Sequence, residues 1–119
     1  MKINKQGVWG EVFAARYMRD HGYDPVTANF RSREGEIDII ARKDGFMCFT
    51  EVKARSKNAI SQPKEAVDTA KQQNIIAAAK LFAKAYPHYE QDRFDVCEVY
   101  LDENMQPAQI NYIENAFSE

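Results

Sequence analysis

Two short stretches of the chain carry acids and a lysine at spacings that suit phosphate chemistry. Glu36 and Asp38 alternate with isoleucines, and further along the chain Glu51 and Lys53 flank a valine. A hard cation such as Mg²⁺ binds one or two carboxylates and keeps several waters, which leaves room for a phosphate substrate. A lysine beside the second acid can offset negative charge that develops on phosphorus. These four residues are therefore the candidate catalytic set.

The segments that carry this set are predicted to form a β-hairpin. Asp44 and Gly45 lie between two runs rich in β-branched and aromatic residues, and this pair favours a two-residue type I′ turn. In that register Asp38 faces Glu51, and Glu36 faces Lys53. A loop with an odd number of residues would shift the register by one and separate the two facing acids.

The predicted opposition of Asp38 and Glu51 is destabilising unless positive charge lies between them. Facing residues of an antiparallel pair have Cβ atoms about 4.5–5.5 Å apart, and like charges at that distance repel. The alternative is a solvent-facing strand pair with ordinary alternating charges. That alternative explains Glu36 and Lys53 as a cross-strand salt bridge, but it does not explain the two facing acids. The pattern therefore predicts a divalent metal site.

Around these residues the chain resembles a known family. Residues 35–41, followed by residues 51–53, are similar to the PD-(D/E)xK nuclease signature and more closely to the YraN-like proteins, whose fold is of the Holliday-junction-resolvase and restriction-endonuclease type. The short pattern alone recurs by chance, whereas an ordered series of matches is specific. The further matches are Gly7, Gly10, Glu11, Ala14, Asn29, Arg31, Glu65, Lys71, Arg93, Asp95 and residues 115–117.

The resemblance implies a three-layer α/β fold of the restriction-endonuclease type and a site for Mg²⁺, or alternatively Mn²⁺. Asp38 and Glu51 would be metal ligands, joined by the Val52 carbonyl and by Glu11, directly or through water. Lys53 would orient the attacking water or neutralise charge on phosphorus, and Glu36 would tune that lysine or support the metal ligands. The implied reaction is hydrolysis of a DNA phosphodiester bond, with branched or junction structures among the implied substrates.

The distribution of charge also bears on a nucleic-acid partner. The net charge of −2 differs from the basic footprint of a general nucleic-acid-binding domain. However, residues 1–64 hold twelve Lys or Arg against eight Asp or Glu, whereas residues 65–119 hold four against ten. The basic half is expected to follow a phosphate backbone, and an ordinary solvated surface is the alternative interpretation. The candidate contacts are Arg31, Arg33, Arg42, Lys43, Arg55, Lys57 and Lys64, to which the resemblance adds Lys71.

Residues 1–119 are predicted to form a single domain in which helices flank a mixed sheet of about five strands. The first helix is expected over residues 5–21, ended by Gly22, and the second from about Pro63 to Ala85. Besides the hairpin, strands are predicted over residues 23–31, 93–101 and 110–113. The first of these strands contains a proline and is expected at a sheet edge. In the strand over 93–101, Asp95 is expected to pair with Arg93 or to act as a supporting acid.

Composition limits the protein class. No apolar run approaches the roughly 18 residues of a membrane span, and the start of the chain does not read as a signal peptide, so a cytoplasmic protein without membrane contact is expected. Cys48 and Cys97 lie in apolar strand patterns, which favours free buried thiols.

Three alternatives for function remain at this stage. The first is the metal-dependent nuclease, which at 119 residues is small for an enzyme that must grip a polymer and is therefore expected to form a homodimer. The second is a noncatalytic nucleic-acid-binding or scaffold protein that retains the nuclease fold. The third is a structural dimer without a nucleic-acid role, which predicts no salt-dependent affinity for DNA.

Overall fold

The structure is a computed structural model that describes residues 4–63 and 67–119. The elements in chain order are α1 (Lys5–Asp20), β1 (Asp24–Arg31), β2 (Glu36–Lys43), β3 (Phe46–Ser56), a short 3₁₀ helix (Lys57–Ala59), α2 (Thr69–Ala85), β4 (Gln91–Leu101) and β5 (Pro107–Phe117). The strands form one sheet in the order β1-β2-β3-β4-β5. The β3–β4 pair is parallel and the other neighbouring pairs are antiparallel. The predicted mixed five-stranded sheet is confirmed.

The hairpin of β2 and β3 has the predicted turn and register. Asp44 and Gly45 both have positive φ angles, 51° and 82°, as a type I′ turn requires. The paired residues run from Lys43 with Phe46 back to Ile39 with Thr50. The backbone twist of a type I′ turn matches the twist of the two strands that it joins. The two turn residues therefore fix which residues of β2 and β3 pair.

The parallel pairing of β3 and β4 requires a crossover, and α2 provides it. Asp68 caps this helix, since its carboxylate accepts a hydrogen bond from the Lys71 backbone N–H at 2.8 Å. The helix therefore begins at Thr69, later than the predicted start near Pro63. Lys64 and Glu65, which the sequence also singled out, lie outside the described residues.

The two helices cover opposite faces of the sheet. On one face, Ile75 and Phe82 of α2 pack in a cluster with Ile40 and Phe49 of the hairpin. On the other face, the buried side of α1 packs in a second cluster with residues of β2, β3 and β4. The chain thus has the three-layer α/β arrangement that was predicted. Both cysteines are buried and free, as expected.

Helix α1 lies unusually close to the sheet at Gly10. A Cβ atom built on this glycine would stand 2.5 Å from the Cβ of Ala54 in β3, so any larger residue would force the helix away. The neighbouring residue on the helix is Glu11. The small-residue contact therefore sets how near that carboxylate comes to the strands.

The β4–β5 pair is held together by a buried carboxylate. Asp95 has no exposed surface and accepts two hydrogen bonds at 2.9 Å from the Arg93 guanidinium. It also accepts from the Tyr112 hydroxyl at 2.6 Å and from the Asn115 backbone N–H at 2.9 Å. The predicted pairing of Asp95 with Arg93 is confirmed. This acid serves the architecture of the sheet.

Within the described residues, neither helix has the length and apolar character that crossing a bilayer would require.

Candidate active site

The two hairpin strands separate at Asp38. The ladder between them ends at Ile39 and Thr50, one pair before the two acids would face each other. Past that point the Asp38 carboxylate itself accepts the Val52 backbone N–H, at 2.8 Å. The acids therefore do not meet as a regular cross-strand pair. They meet across a gap in the sheet that the Asp38 side chain partly fills.

The gap lies where the side chains of β1 and β2 stop alternating regularly between the two faces of the sheet. In both strands the irregularity falls at positions that face each other. Ile39 belongs to the cluster under α1, whereas Ile37, only two residues away, belongs to the cluster under α2. Opposite this step in β1, Asn29 has a positive φ of 53°. Asn is one of the few residues that adopt this conformation readily. The irregularity turns β2 away from β3 and directs Asp38 towards the opening.

Four acids line one cleft of about 530 Å³ at this opening. They come from three elements: Glu11 from α1, Glu36 and Asp38 from β2, and Glu51 from β3. Val52 also lines the cleft. Its N–H faces β2, and since a strand residue directs its carbonyl to the same neighbour as its N–H, that carbonyl faces the gap too.

Burial and the charges of neighbouring acids raise the pKa values of Glu11, Asp38 and Glu51. Burial first, and then the charge of Asp38, raise the pKa of Glu11 to about 7, and the two carboxyls share a hydrogen bond, which requires a proton between them. Burial also raises the pKa of Asp38, against the lowering effect of the Val52 N–H. The pKa of Glu51 is raised by burial and by the charge of Asp38. The cleft therefore concentrates more negative charge than its surroundings stabilise.

The basic residues nearest to the acids are Lys71 and Arg31. Lys71 reaches across from α2, and its Nζ lies 3.4 Å from a Glu51 carboxylate oxygen. Arg31 lines the cleft, and its Nε lies 3.7 Å from Glu36. The predicted facing of Glu36 and Lys53 is wrong, because β2 has already left β3 at that point and Glu36 pairs with Arg31 of β1 instead.

The other predicted phosphate contacts are spread over the surface. Arg33 is exposed and lies 3.6 Å from Glu34, and Lys57 lies 3.2 Å from Glu103. Arg55 is half-buried on β3, two residues beyond Lys53. Arg42 and Lys43 lie next to the hairpin turn, at the end of β2 away from the cleft. The structure thus brings Arg31 and Lys71 to the acids and leaves the others at a distance along the fold.

The donor set of the cleft fits a hard divalent cation. Its side chains offer carboxylate oxygens, which are the ligands that Mg²⁺ and Mn²⁺ favour. Among the described residues, no group of three or more His, Cys, Asp or Glu side chains is arranged to enclose an ion together. Mg²⁺ is commonly held by one or two carboxylates with several waters, so Asp38 and Glu51 with the Val52 carbonyl are the residues of the cleft that could hold it.

Sequence reasoning missed Asn29 as a structural determinant of the site. In the sequence, Asn29 stands among the residues that carry the family resemblance, and no structural role is predicted for it. The available signal was an asparagine inside a predicted strand, since Asn is depleted in strands and enriched at positive φ.

A mixed five-stranded sheet between two helices, with acids gathered where two central strands part, defines this chain as an α/β protein of the three-layer, restriction-endonuclease-like class. The chain belongs to a family described as "Uncharacterised protein family UPF0102", whose model matches residues 10–99. This confirms the resemblance to the YraN-like proteins.

Relatives in this family match the chain over nearly all its length. A UPF0102 protein of Clostridium perfringens is 41% identical over 120 residues, which cover 98% of this chain and 97% of the relative. A UPF0102 protein of Caldicellulosiruptor bescii is 40% identical over 121 residues, covering 98% and 100%. One from Syntrophomonas wolfei is 38% identical over 112 residues, covering 93% and 96%.

Proposed function

We propose that the protein is a metal-dependent endonuclease that hydrolyses DNA phosphodiester bonds, with branched or junction DNA as the preferred substrate. The observation that carries this proposal is the meeting of Glu11, Asp38 and Glu51, from three separate elements, in one cleft where burial and the charge of Asp38 raise the pKa of both glutamates. A fold kept for stability alone would separate these charges or pair each one with a cation.

Mg²⁺ is the proposed cofactor, with Mn²⁺ as the alternative. Asp38 and Glu51 would hold the ion with the Val52 carbonyl, and Glu11 would assist directly or through water. When bound, the ion would polarise the scissile phosphate and lower the pKa of a water.

The chain's own residues prepare the cleft for a phosphate. The Val52 N–H fixes the orientation of Asp38, and Lys71 restrains Glu51 from the side of α2. Lys53 follows Glu51 on the same strand and provides a positive charge for the phosphate as charge develops on it. Arg31, at the edge of the cleft, would contact a backbone phosphate next to the cleaved one, and Glu36 beside it limits where its guanidinium can reach.

The test is a cleavage screen over junction, flap, nicked and linear DNA with Mg²⁺ or Mn²⁺. The wild type should cleave at least one substrate, and Asp38→Asn should lose activity on the order of 100-fold or more. Asp20→Asn, which changes an exposed acid at the end of α1, is the matched control and should keep full activity. Asp38→Asn preserves an oxygen that can accept the Val52 N–H, so its fold should be intact.

The same screen separates the nuclease from its alternatives. DNA binding without cleavage by the wild type would favour a noncatalytic binding or scaffold protein. The absence of any salt-dependent affinity for DNA would exclude both nucleic-acid functions. Light scattering on the free protein tests the proposed homodimer, whose twofold symmetry would match that of a four-way junction.

A further inference from the structure

The side chain of Lys71 is in contact with one of the proposed metal ligands. Its Nζ lies 3.4 Å from a Glu51 carboxylate oxygen. Burial raises the pKa of both Glu51 and Asp38, and the charge of Lys71 acts against this rise at each of them. Lys71 therefore supplies positive charge at the same two carboxylates that are proposed to hold a divalent cation.

The backbone of Lys71 is fixed, whereas its ammonium can move. Lys71 lies in the first turn of α2, where its N–H donates to the Asp68 carboxylate at 2.8 Å. The next residue, Gln72, donates from its side chain to the Val67 carbonyl, also at 2.8 Å. The Lys71 side chain is 51% exposed, whereas that of Glu51 is 11% exposed. Because a lysine has a flexible four-carbon stem, the ammonium can leave Glu51 while the helix stays in place.

We propose that Lys71 is a movable counter-ion, which neutralises Glu51 in the metal-free protein and transfers to a DNA phosphate when the metal ion binds. The ammonium cannot stay against Glu51 when a cation takes the same carboxylate, since like charges repel. The released side chain remains at the rim of the cleft, where a phosphate of the substrate supplies the negative charge that Lys71 has lost. This inference rests on the proposed nuclease function and adds a coupling between metal binding and DNA binding.

The proposed role differs from a purely structural one in the direction of its effect on metal binding. If Lys71 only held Glu51 in place, removing the lysine would disorder a metal ligand and weaken metal binding. If Lys71 competes with the metal, removing it frees the ligand and tightens metal binding. The coupling is also reciprocal, so the metal raises the affinity for DNA by the factor by which DNA raises the affinity for the metal. That factor should shrink without Lys71.

Calorimetric titration of DNA-free protein with Mg²⁺ measures the first effect. Lys71→Met, which keeps the length of the side chain and removes its charge, should bind Mg²⁺ about 3–10-fold more tightly than the wild type. Lys80→Met is the matched control, since Lys80 lies on the same helix and pairs with Glu119, and it should leave the affinity unchanged. An unchanged or weaker affinity in Lys71→Met would overturn the proposal. An equal gain in Lys53→Met would also overturn it, because the effect would then come from the net charge of the cleft.

The salt dependence of binding to a four-way DNA junction measures the transfer to phosphate. Ca²⁺ is the ion used here, because it takes the same oxygen ligands and, being larger, polarises a phosphate less than Mg²⁺ does. With Ca²⁺, Lys71→Met should reduce the slope of log affinity against log salt by about 1, the value for one lost phosphate contact. With EDTA the variant and the wild type should have equal slopes, because Glu51 then holds Lys71. Equal slopes with Ca²⁺, or the same difference under EDTA, would contradict the transfer.

These outcomes can be told apart from failure of the proposed function. If the wild type binds Mg²⁺ but cleaves no DNA, the nuclease function fails, while the titration and the salt slopes still decide the role of Lys71. If the wild type binds no DNA, the transfer to phosphate is wrong whatever the titration gives. If neither the wild type nor Lys71→Met binds Mg²⁺, the metal site and the movable counter-ion are both wrong.

Discussion

The molecule contains two carboxylate centres that differ in how their charge is stabilised. Around Asp95, the Arg93 guanidinium, the Tyr112 hydroxyl and a backbone N–H all donate to one fully buried acid. Around Glu11 and Glu51, the strongest influence after burial is the charge of Asp38, and the pKa values of both glutamates rise. The charge of Asp95 is thus stabilised by hydrogen-bond donors of the protein itself. The acids of the cleft carry negative charge that such donors do not fully offset.

This difference indicates that the Asp95 centre stabilises the fold, whereas the cleft acids are candidates for function. A carboxylate that ties two strands together needs donors from its own chain, and Asp95 has them. Carboxylates that repel one another weaken the free protein, so their presence in one cleft supports the proposed divalent cation. Each of the following predictions tests that contrast, from the largest expected effect to the smallest.

The largest effect should come from Asp95→Asn compared with Asp38→Asn. The first leaves the Arg93 charge, which is only 10% exposed, with the longer ion pair to Glu114 at 3.9 Å, and should lower the free energy of unfolding by about 3 kcal/mol. The second removes one of several repelling charges and should change it by less than about 1 kcal/mol. Urea denaturation at neutral pH without divalent ions measures both. Equal losses would show that the two centres are alike.

Gly10→Ala should move one acid of the cleft and leave the Asp95 centre in place. The new methyl group would overlap Ala54, so α1 must shift outwards, with a cost of about 1–3 kcal/mol. Because Glu11 moves with the helix, DNA cleavage should fall as well. Adding Ala54→Gly should restore part of the stability and of the activity. Activity that stays at the wild-type level despite the shift would remove Glu11 from the site.

Mg²⁺ should stabilise the wild type and not the cleft variants. At a concentration ten times the dissociation constant, a ligand that binds only the folded state adds about 1.4 kcal/mol, and EDTA should reverse this gain. Asp38→Asn and Glu51→Gln should show little of the effect, whereas Asp20→Asn should show all of it. Thermal denaturation with and without the ion measures the difference. Stabilisation that survives in both cleft variants would place the ion elsewhere.

The smallest effect should be the pH dependence contributed by Glu11. Its folded-state pKa of about 7 lies above the ordinary value of 4.5, so the folded protein holds this proton more tightly than the unfolded chain. The resulting stability is complete below pH 4.5 and is lost as the pH rises through 7.

Glu11→Gln should therefore raise the melting temperature of metal-free protein at pH 8 and have little effect at pH 5. Because Glu11 is partly exposed and solvent screens its charge, the gain should be about 2–4 °C. A gain of the same size at both pH values would mean that packing, and not charge, is responsible.

The sequence was sufficient where the determinants are local. The turn at Asp44 and Gly45 follows from two adjacent residues, and the register of the hairpin follows from the turn. The first helix likewise begins and ends close to its predicted limits, since its cap and its terminating glycine adjoin it. The second helix was placed too early because Pro63 and Asp68 both mark possible starts, and only the structure shows that Asp68 caps the helix.

The details of the site depended on contacts that are distant in sequence. The separation of β2 from β3 depends on a change in alternation that is shared with Asn29 in a third strand, so the hairpin alone predicted a regular pair of facing acids. The position of Lys71 depends on how α2 crosses the sheet. The directions of Arg33 and Lys57, which lie outside the strands and α2, follow from no periodicity in the sequence.

The hairpin turn has a practical use for experiments on this protein. Gly45 has open space around it, and about 20 Å of strand separates the turn from the cleft. A fluorophore or a short epitope inserted there would be rigidly connected to Asp38 without obstructing it. Energy transfer from such a label to a dye on DNA would report where on a branched molecule the protein settles, even in a variant that cannot cut.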